Sequence, residues 1–173
     1  MAEKTIRKIG DPVLREICKP VTAITPNIIK LLNDLAETIR SGENRAGLAA
    51  PQVGIPKRIA VLDYGTGLIE LINPVVVERS GEQTGFEACL SIPGVYGTVR
   101  RAQYVKVKTL NRAGEETFVE GVDQVAVCMQ HEIDHLDGVL YIDHVKKGQL
   151  FNDRNDKPID VLQMIRMSKS RDW

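Results

Sequence analysis

The sequence predicts an α+β fold: antiparallel β-sheets packed around a central helix, with one helix near the N-terminus and another at the C-terminus. Three observations predict it. Apolar residues recur at helical spacing over Pro26–Ser41 and again over Asp123–Leu136. Short β-branched runs broken by turn residues fill the interval from Lys57 to Glu120, and the tail from Pro158 to Lys169 returns to helical spacing.

In the first helix Ile28, Leu31, Leu32, Leu35, Ala36 and Ile39 share one face; Thr25 is the cap, Pro26 lies in the first turn and Gly42 is the stop. The segment Gly47–Gly54 is too rich in Gly and Pro for a regular element yet strongly apolar for a surface loop, which implies a buried loop of specific shape. Strands are expected at Arg58–Tyr64, Leu68–Glu78 and Gln103–Leu110, where Val105 and Val107 alternate with Lys106 and Lys108. Asn111–Gly114 reads as a hairpin turn into a strand at Glu116–Glu120. Short strands joined in this way pair antiparallel. The helical period resumes at Asp123, read as a cap, and runs to Leu136, with Gly138 just beyond the end. Val139–Ile142 is expected as one more strand. Ile159, Leu162, Met164 and Ile165 mark a C-terminal helix from residue 158.

The chain of 173 residues has 23 Lys plus Arg against 23 Asp plus Glu, a formal charge of zero, which excludes a strongly basic nucleic-acid binder and an acidic tail protein. With 43% apolar and 27% charged residues it has the composition of a globular domain, and one domain over residues 1–173 is expected. At this length folding removes roughly 70% of the unfolded surface from water. Apolar runs such as Ile59–Leu62 and Pro74–Val77 fall far short of the ~20 residues of a membrane span. Met1–Arg7 lacks the apolar stretch of a signal peptide, so a cytoplasmic protein is expected. Three cysteines, Cys18, Cys89 and Cys128, form no closed disulfide framework, and reduced thiols are expected.

The chemistry concentrates in His131-Glu132-Ile133-Asp134-His135 inside the second predicted helix. A spacing of four residues sends both imidazoles from one face, where they can meet one metal ion. Glu132 lies about 100° round from His131, beside the ion, placed to take a proton from a water. The central helix of the predicted fold is thus a metal-binding helix. The competing reading is an exposed face with two solvated histidines, but Cys128 and Ile133 make much of this helix a core element, and buried polar groups need a purpose. A tetrahedral catalytic site needs a third protein ligand and an open position. The available donors are His144, Cys18, Cys128, a carboxylate and Cys89; the turn-like segment Glu87–Ser91 makes Cys89 the better choice, and Cys18 and Cys128 read as small buried hydrophobes.

Three segments, Gly47-Leu48-Ala49-Ala50-Pro51-Gln52, Glu87-Ala88-Cys89-Leu90-Ser91 and Gln130-His131-Glu132-Ile133-Asp134-His135-Leu136-Asp137-Gly138, together resemble the signature motifs of the peptide deformylase family, in matching order. The resemblance spans the chain from Gly10 to Ile142; the tail 143–173 is variable in the family. It implies removal of the N-formyl group from the initiator methionine of nascent polypeptides. Cys89, His131 and His135 would hold one divalent metal whose fourth position carries water, with Fe(II) favoured and Zn(II), Ni(II) or Co(II) as substitutes. Glu132 would serve as general base and acid, and the Gln52 side-chain amide with the Leu90 backbone N–H would donate to the oxyanion. Val127, Cys128 and the aliphatic part of His131, with Leu90 and Ala46, would line a methionine pocket, while backbone groups around Ala46, Gly47 and Ala88 would hold the substrate extended like an added strand.

The pattern departs at Arg45 and Ala88, where the family has Gly. A family glycine at positive φ would make a side chain there cost about 1 kcal/mol. Arg45 is expected to narrow the groove entrance or to contact the peptide backbone. Glu87 is expected to pair with a nearby cation, since a carboxylate beside an apolar pocket needs a partner, and the resemblance favours Arg101 for that role. The zero total charge conceals a stretch from Arg100 to Arg112 with Arg100, Arg101, Lys106, Lys108 and Arg112 and no acids, read as a solvated strand face or, more sharply, a transient ribosome contact. Two other functions compete: a zincin-type peptidase, which would take its third ligand downstream from Asp143 or His144, and a silent homologue that only binds. Retention of Glu132 and Gln52 opposes the second.

Overall fold

The computed structural model describes residues 2–169. A 3₁₀ turn over Pro12–Arg15 precedes helix α1 (Pro26–Arg40). Strands β1 (Gly47–Ala49), β2 (Ile59–Leu62) and β3 (Ile69–Ile72) follow, then β4 (Val75–Ser80), β5 (Gln83–Cys89) and β6 (Ile92–Arg101). β7 (Tyr104–Leu110) and β8 (Glu116–Val122) lead into helix α2 (Asp123–Leu136), and β9 (Leu150–Asn152) and helix α3 (Val161–Lys169) close the described chain. Three antiparallel sheets have the orders β1-β2-β3, β4-β7-β8 and β5-β6-β9. The predicted α+β class, sheets around a central helix, is the observed one.

All six apolar residues assigned to the inner face of α1 are buried, and the Thr25 hydroxyl accepts from the Ile28 N–H at 3.3 Å as its cap. The sheet β1-β2-β3 is covered on both faces: Ala60 and Leu62 join the core with Met129 and Leu136 of α2, whereas Ile59 and Val61 join the core around α1. Burial on two sides explains why β2 is an unbroken apolar run. Each fully buried Leu or Ile contributes roughly 1.5–3 kcal/mol. A third core gathers Ile92, Val95 and Val99 of β6 with Leu140, Tyr141 and Ile142.

Several boundaries differ from the expectation. The buried segment from Gly47 opens as strand β1 and becomes a 3₁₀ turn only over Ala50–Val53. The single strand expected over Leu68–Glu78 is two strands in two sheets, because Asn73 adopts φ 51° and exchanges 2.8 Å hydrogen bonds with both backbone groups of Val21. β5, β6 and β9 carried no strand assignment; Gly and Pro within β5 and β6 hide an alternation in which Val95, Gly97, Val99 and Arg101 face inward. Asp123 is not the cap of α2 but its first residue, at φ 53°, with a carboxylate that accepts from Gln103 at 3.0 Å. In place of a strand at Val139–Ile142 a 3₁₀ turn spans Tyr141–His144, shaped by Asp143, which accepts the Leu140 N–H. The last helix begins at Val161 because Asp160 caps it through the N–H groups of Leu162 and Gln163; residues 170–173 of the tail lie outside the described residues.

The basic stretch is not one solvated face. Lys106 and Lys108 point away from buried Val105 and Val107, but Arg101 is buried and Arg112 pairs with Glu70 at 2.7 Å. No helix among the described residues is long and apolar enough to cross a membrane.

Candidate metal centre

Helix α2 presents His131, Glu132 and His135, all buried, toward β1 and the end of β5. The helix stops at Leu136 with Gly138 at φ 71°, where a Cβ would lie 2.6 Å from the Arg15 carbonyl oxygen, so only glycine fits the turn. Cys89 ends β5, next to a register shift in the β5-β6 ladder between Glu87 and Cys89. Its Sγ is 3.4 Å from His135 Nε2, and ligand atoms of Cys89, His131 and His135 all lie within 4.8 Å of one another.

Glu87 lies behind the cluster. Its Oε1 is 2.9 Å from His131 Nδ1, and Arg101 donates to both its oxygens at 2.8 and 2.9 Å, the pairing expected of Arg101. Burial pushes the Glu87 carboxyl up, but the hydrogen bonds from Arg101 and His131 outweigh it and hold the group down to about 2. An ionised carboxylate only accepts, so Nδ1 of His131 carries the proton and Nε2 offers its lone pair to the cluster. Burial also lowers the His135 imidazole, which stays below the usual range. Glu132 is pushed up to about 7, chiefly by burial.

One soft sulfur and two imidazole nitrogens are a donor set that suits a divalent ion. Two buried side-chain atoms here, Glu132 Oε2 and His135 Nδ1, have no hydrogen-bond partner among the described residues. A buried carboxylate oxygen without a donor is costly unless something in the cleft meets it. Gln52 is fixed at both ends: its Oε1 accepts the Ala49 N–H at 2.9 Å, and its Nε2 donates to Ser91 Oγ at 3.1 Å and lies 3.5 Å from Cys89 Sγ.

A cleft of about 180 Å³ opens onto these groups. Ala46, Gly47, Gln52, Ala88, Cys89, Leu90, Val127, Cys128, His131 and Glu132 line it; His135, the remaining residue expected to hold the metal, is not in the lining and reaches the site beside Cys89. The polypeptide deformylase family model matches residues 3–150. The chain belongs to the peptide deformylase family.

The family is one of metal-dependent hydrolases, and this chain is such an enzyme. It is 52% identical over 153 residues to a peptide deformylase of Carboxydothermus hydrogenoformans, covering 86% of this chain and all of that protein. A peptide deformylase of Caldanaerobacter subterraneus is 55% identical over 145 residues, 84% of this chain and 91% of the relative. The crystal structure of the peptide deformylase from Thermotoga maritima superposes with a TM-score of 0.81 at 40% identity, covering 84% of this chain and 99% of that one.

Against the family pattern, neither Arg45 nor Ala88 sits at positive φ, so neither departure strains the backbone. Arg45 does not line the cleft. Its guanidinium turns to the end of α1, donating to the Thr38 carbonyl at 2.7 Å and to Ser41 Oγ at 3.3 Å. The downstream donors of the zincin reading are committed elsewhere: Asp143 takes two bonds from Arg15, at 2.6 and 2.9 Å, and His144 Nε2 is 3.0 Å from Asp134. Burial pushes the Cys18 thiol up to about 11 and raises Cys128 further still, as befits small buried hydrophobes.

Sequence reasoning missed Tyr64, Phe86 and Gln124, which also line the cleft, and the support given by Ser91 and Tyr141. Tyr141 stacks on His131 with ring centroids 6.0 Å apart. Ser91 closes the Glu87–Ser91 segment that also carries Cys89. Phe86 and Tyr141 stand in a strand and a 3₁₀ turn that the sequence did not reveal, whereas Gln124 lies in the first turn of the predicted helix and Tyr64 just past β2, where periodicity alone does not point to a cleft.

Proposed function

We propose that the enzyme removes the N-formyl group from the N-terminal methionine of newly made polypeptides, releasing formate, and that it does so in the cytoplasm. The observation that carries the reading is the convergence of Cys89, His131 and His135 beside Glu132 and Gln52 in one cleft of a chain of this family.

Cys89 Sγ, His131 Nε2 and His135 Nε2 would hold the metal, Fe(II) in preference to Zn(II), Ni(II) or Co(II). Such an ion supplies a Lewis acid that brings the pKa of a water toward ~7. Glu132 takes the water's proton on its unpartnered Oε2 and returns it to the departing amine, without which an amide nitrogen is too poor a leaving group. A carboxyl near 7 suits both directions of that transfer at neutral pH. Gln52 Nε2 and the Leu90 N–H donate to the oxyanion. The Ala49 bond to Gln52 Oε1 keeps the amide from flipping, so its donor end stays toward the cleft. Losing one such donor typically raises the barrier by ~3–4 kcal/mol.

The methionine side chain enters between Val127 and Cys128, with Ala46 and Leu90 at its sides. β1 and β5 are each the outermost strand of their sheet, which suits an extended peptide held between Ala46, Gly47 and Ala88. A transient contact with the ribosome would fall to Lys106 and Lys108, which make no ion pair among the described residues. In the decisive experiment Glu132→Ala keeps its metal content and loses formate release from formyl-Met-Ala-Ser; full turnover in that variant contradicts the mechanism.

A further inference from the structure

The hydrogen bonds that begin at His131 do not end at Arg101. While Nε and Nη2 of Arg101 serve Glu87, its Nη1 donates to Asp134 Oδ2 at 2.6 Å, and His144 Nε2 lies 3.0 Å from that same oxygen. Side-chain exposure rises along the line, from 6% at Glu87 and Arg101 to 25% at Asp134 and 40% at His144. Its outer end opens on a cavity of about 510 Å³, lined by Arg101, Gln130, Ile133, Asp134 and His144, that shares no lining residue with the cleft. One helix therefore carries a metal-ligand candidate on the cleft side and, three residues on, a carboxylate facing a different opening.

The charges alternate: Glu87 negative, Arg101 positive, Asp134 negative. If Arg101 served Glu87 alone, its charge would offset the field of Glu87 at His131. Asp134 draws part of that charge outward, leaving Glu87 a stronger acceptor for the His131 Nδ1–H and His131 Nε2 a stronger donor to a metal. His144 acts with the opposite sign. Its Nε2 faces an ionised carboxylate, so it donates, and that donation weakens the pull of Asp134 on Arg101.

We propose that Asp134 and His144 are positioning residues for His131, setting through Arg101 and Glu87 how tightly it holds a divalent cation, in opposite senses. The proposal rests on the reading of Cys89, His131 and His135 as a metal site.

The test is a cobalt(II) titration of the metal-free full-length protein against a competing chelator, with thermal unfolding of the metal-free protein alongside. Asp134→Asn binds cobalt roughly 10-fold more weakly than wild type. His144→Ala binds it more tightly, although it removes a hydrogen bond. Damage to structure alone would weaken both variants, and lower their melting temperatures, so the opposite signs carry the proposal. Unchanged affinity in Asp134→Asn, or equal or weaker affinity in His144→Ala, overturns the relay while leaving the metal site standing. Should Asp134→Asn fail to fold, the His144→Ala result decides alone. Failure of the wild type to bind cobalt overturns the metal reading and the relay with it.

Discussion

Gly47 lies against the group proposed to move the proton. A Cβ at this position would come within 2.8 Å of Glu132 Oε1 and 2.9 Å of Cys128 Sγ, so any side chain must push the carboxylate aside. Gly47→Ala should therefore retain its metal, judged by metal analysis, while kcat for formate release falls by about 100-fold, the cost of an ångström of misplacement in a positioned group. At this scale the residues that chemistry demands were legible: two histidines a helical turn apart, a carboxylate between them and a cysteine elsewhere. Orientation was not. Arg101 pairs with Glu87 as expected, but its burial could not be read, because it occupies an inward position of a strand that Gly94 and Gly97 conceal. Arg45 reads as a gate to the groove and instead satisfies the end of α1.

The elements divide by how locally they are encoded. α1 has its cap, its first-turn proline and its apolar face within sixteen consecutive residues, Thr25 to Arg40, and the structure reproduces all three. Thr25→Ala removes the bond to the Ile28 N–H and should cost about 1 kcal/mol, seen as a melting temperature lower by about 2–4 °C. The strands around the site depend on distant partners. β5 and β6 hold each other in register from Gln83↔Arg101 to Cys89↔Ile92, and it is this pairing that turns Glu87 and Cys89 toward α2. Nothing in the composition of either segment announces it. The break between β3 and β4 falls at Asn73-Pro74, within what reads as one strand, and its cause is a pair of hydrogen bonds with Val21 far along the chain.

Over the whole molecule, α2 is held between a sheet covered on both faces and a line of buried charge, and that charge gives stability a pH dependence. Glu87 has its carboxyl lowered from its usual 4.5 to about 2 in the folded protein, the bonds from Arg101 and His131 outweighing burial. The folded state thus binds the Glu87 proton less readily than the unfolded chain, and the contribution to stability is full above 4.5 and lost as pH falls toward about 2. Urea midpoints measured across that interval should decline in the wild type and decline less steeply in Glu87→Gln, which starts from a lower stability because Arg101 is left buried with one partner fewer.

Whether metal and activity depend on the same three side chains is measured by metal analysis of anaerobically prepared protein coupled to a formate-release assay on formyl-Met-Ala-Ser, run beside Cys89→Ser. One divalent ion per wild-type chain with release of formate is expected, and loss of both in Cys89→Ser. Undiminished formate release by metal-free Cys89→Ser would contradict that dependence.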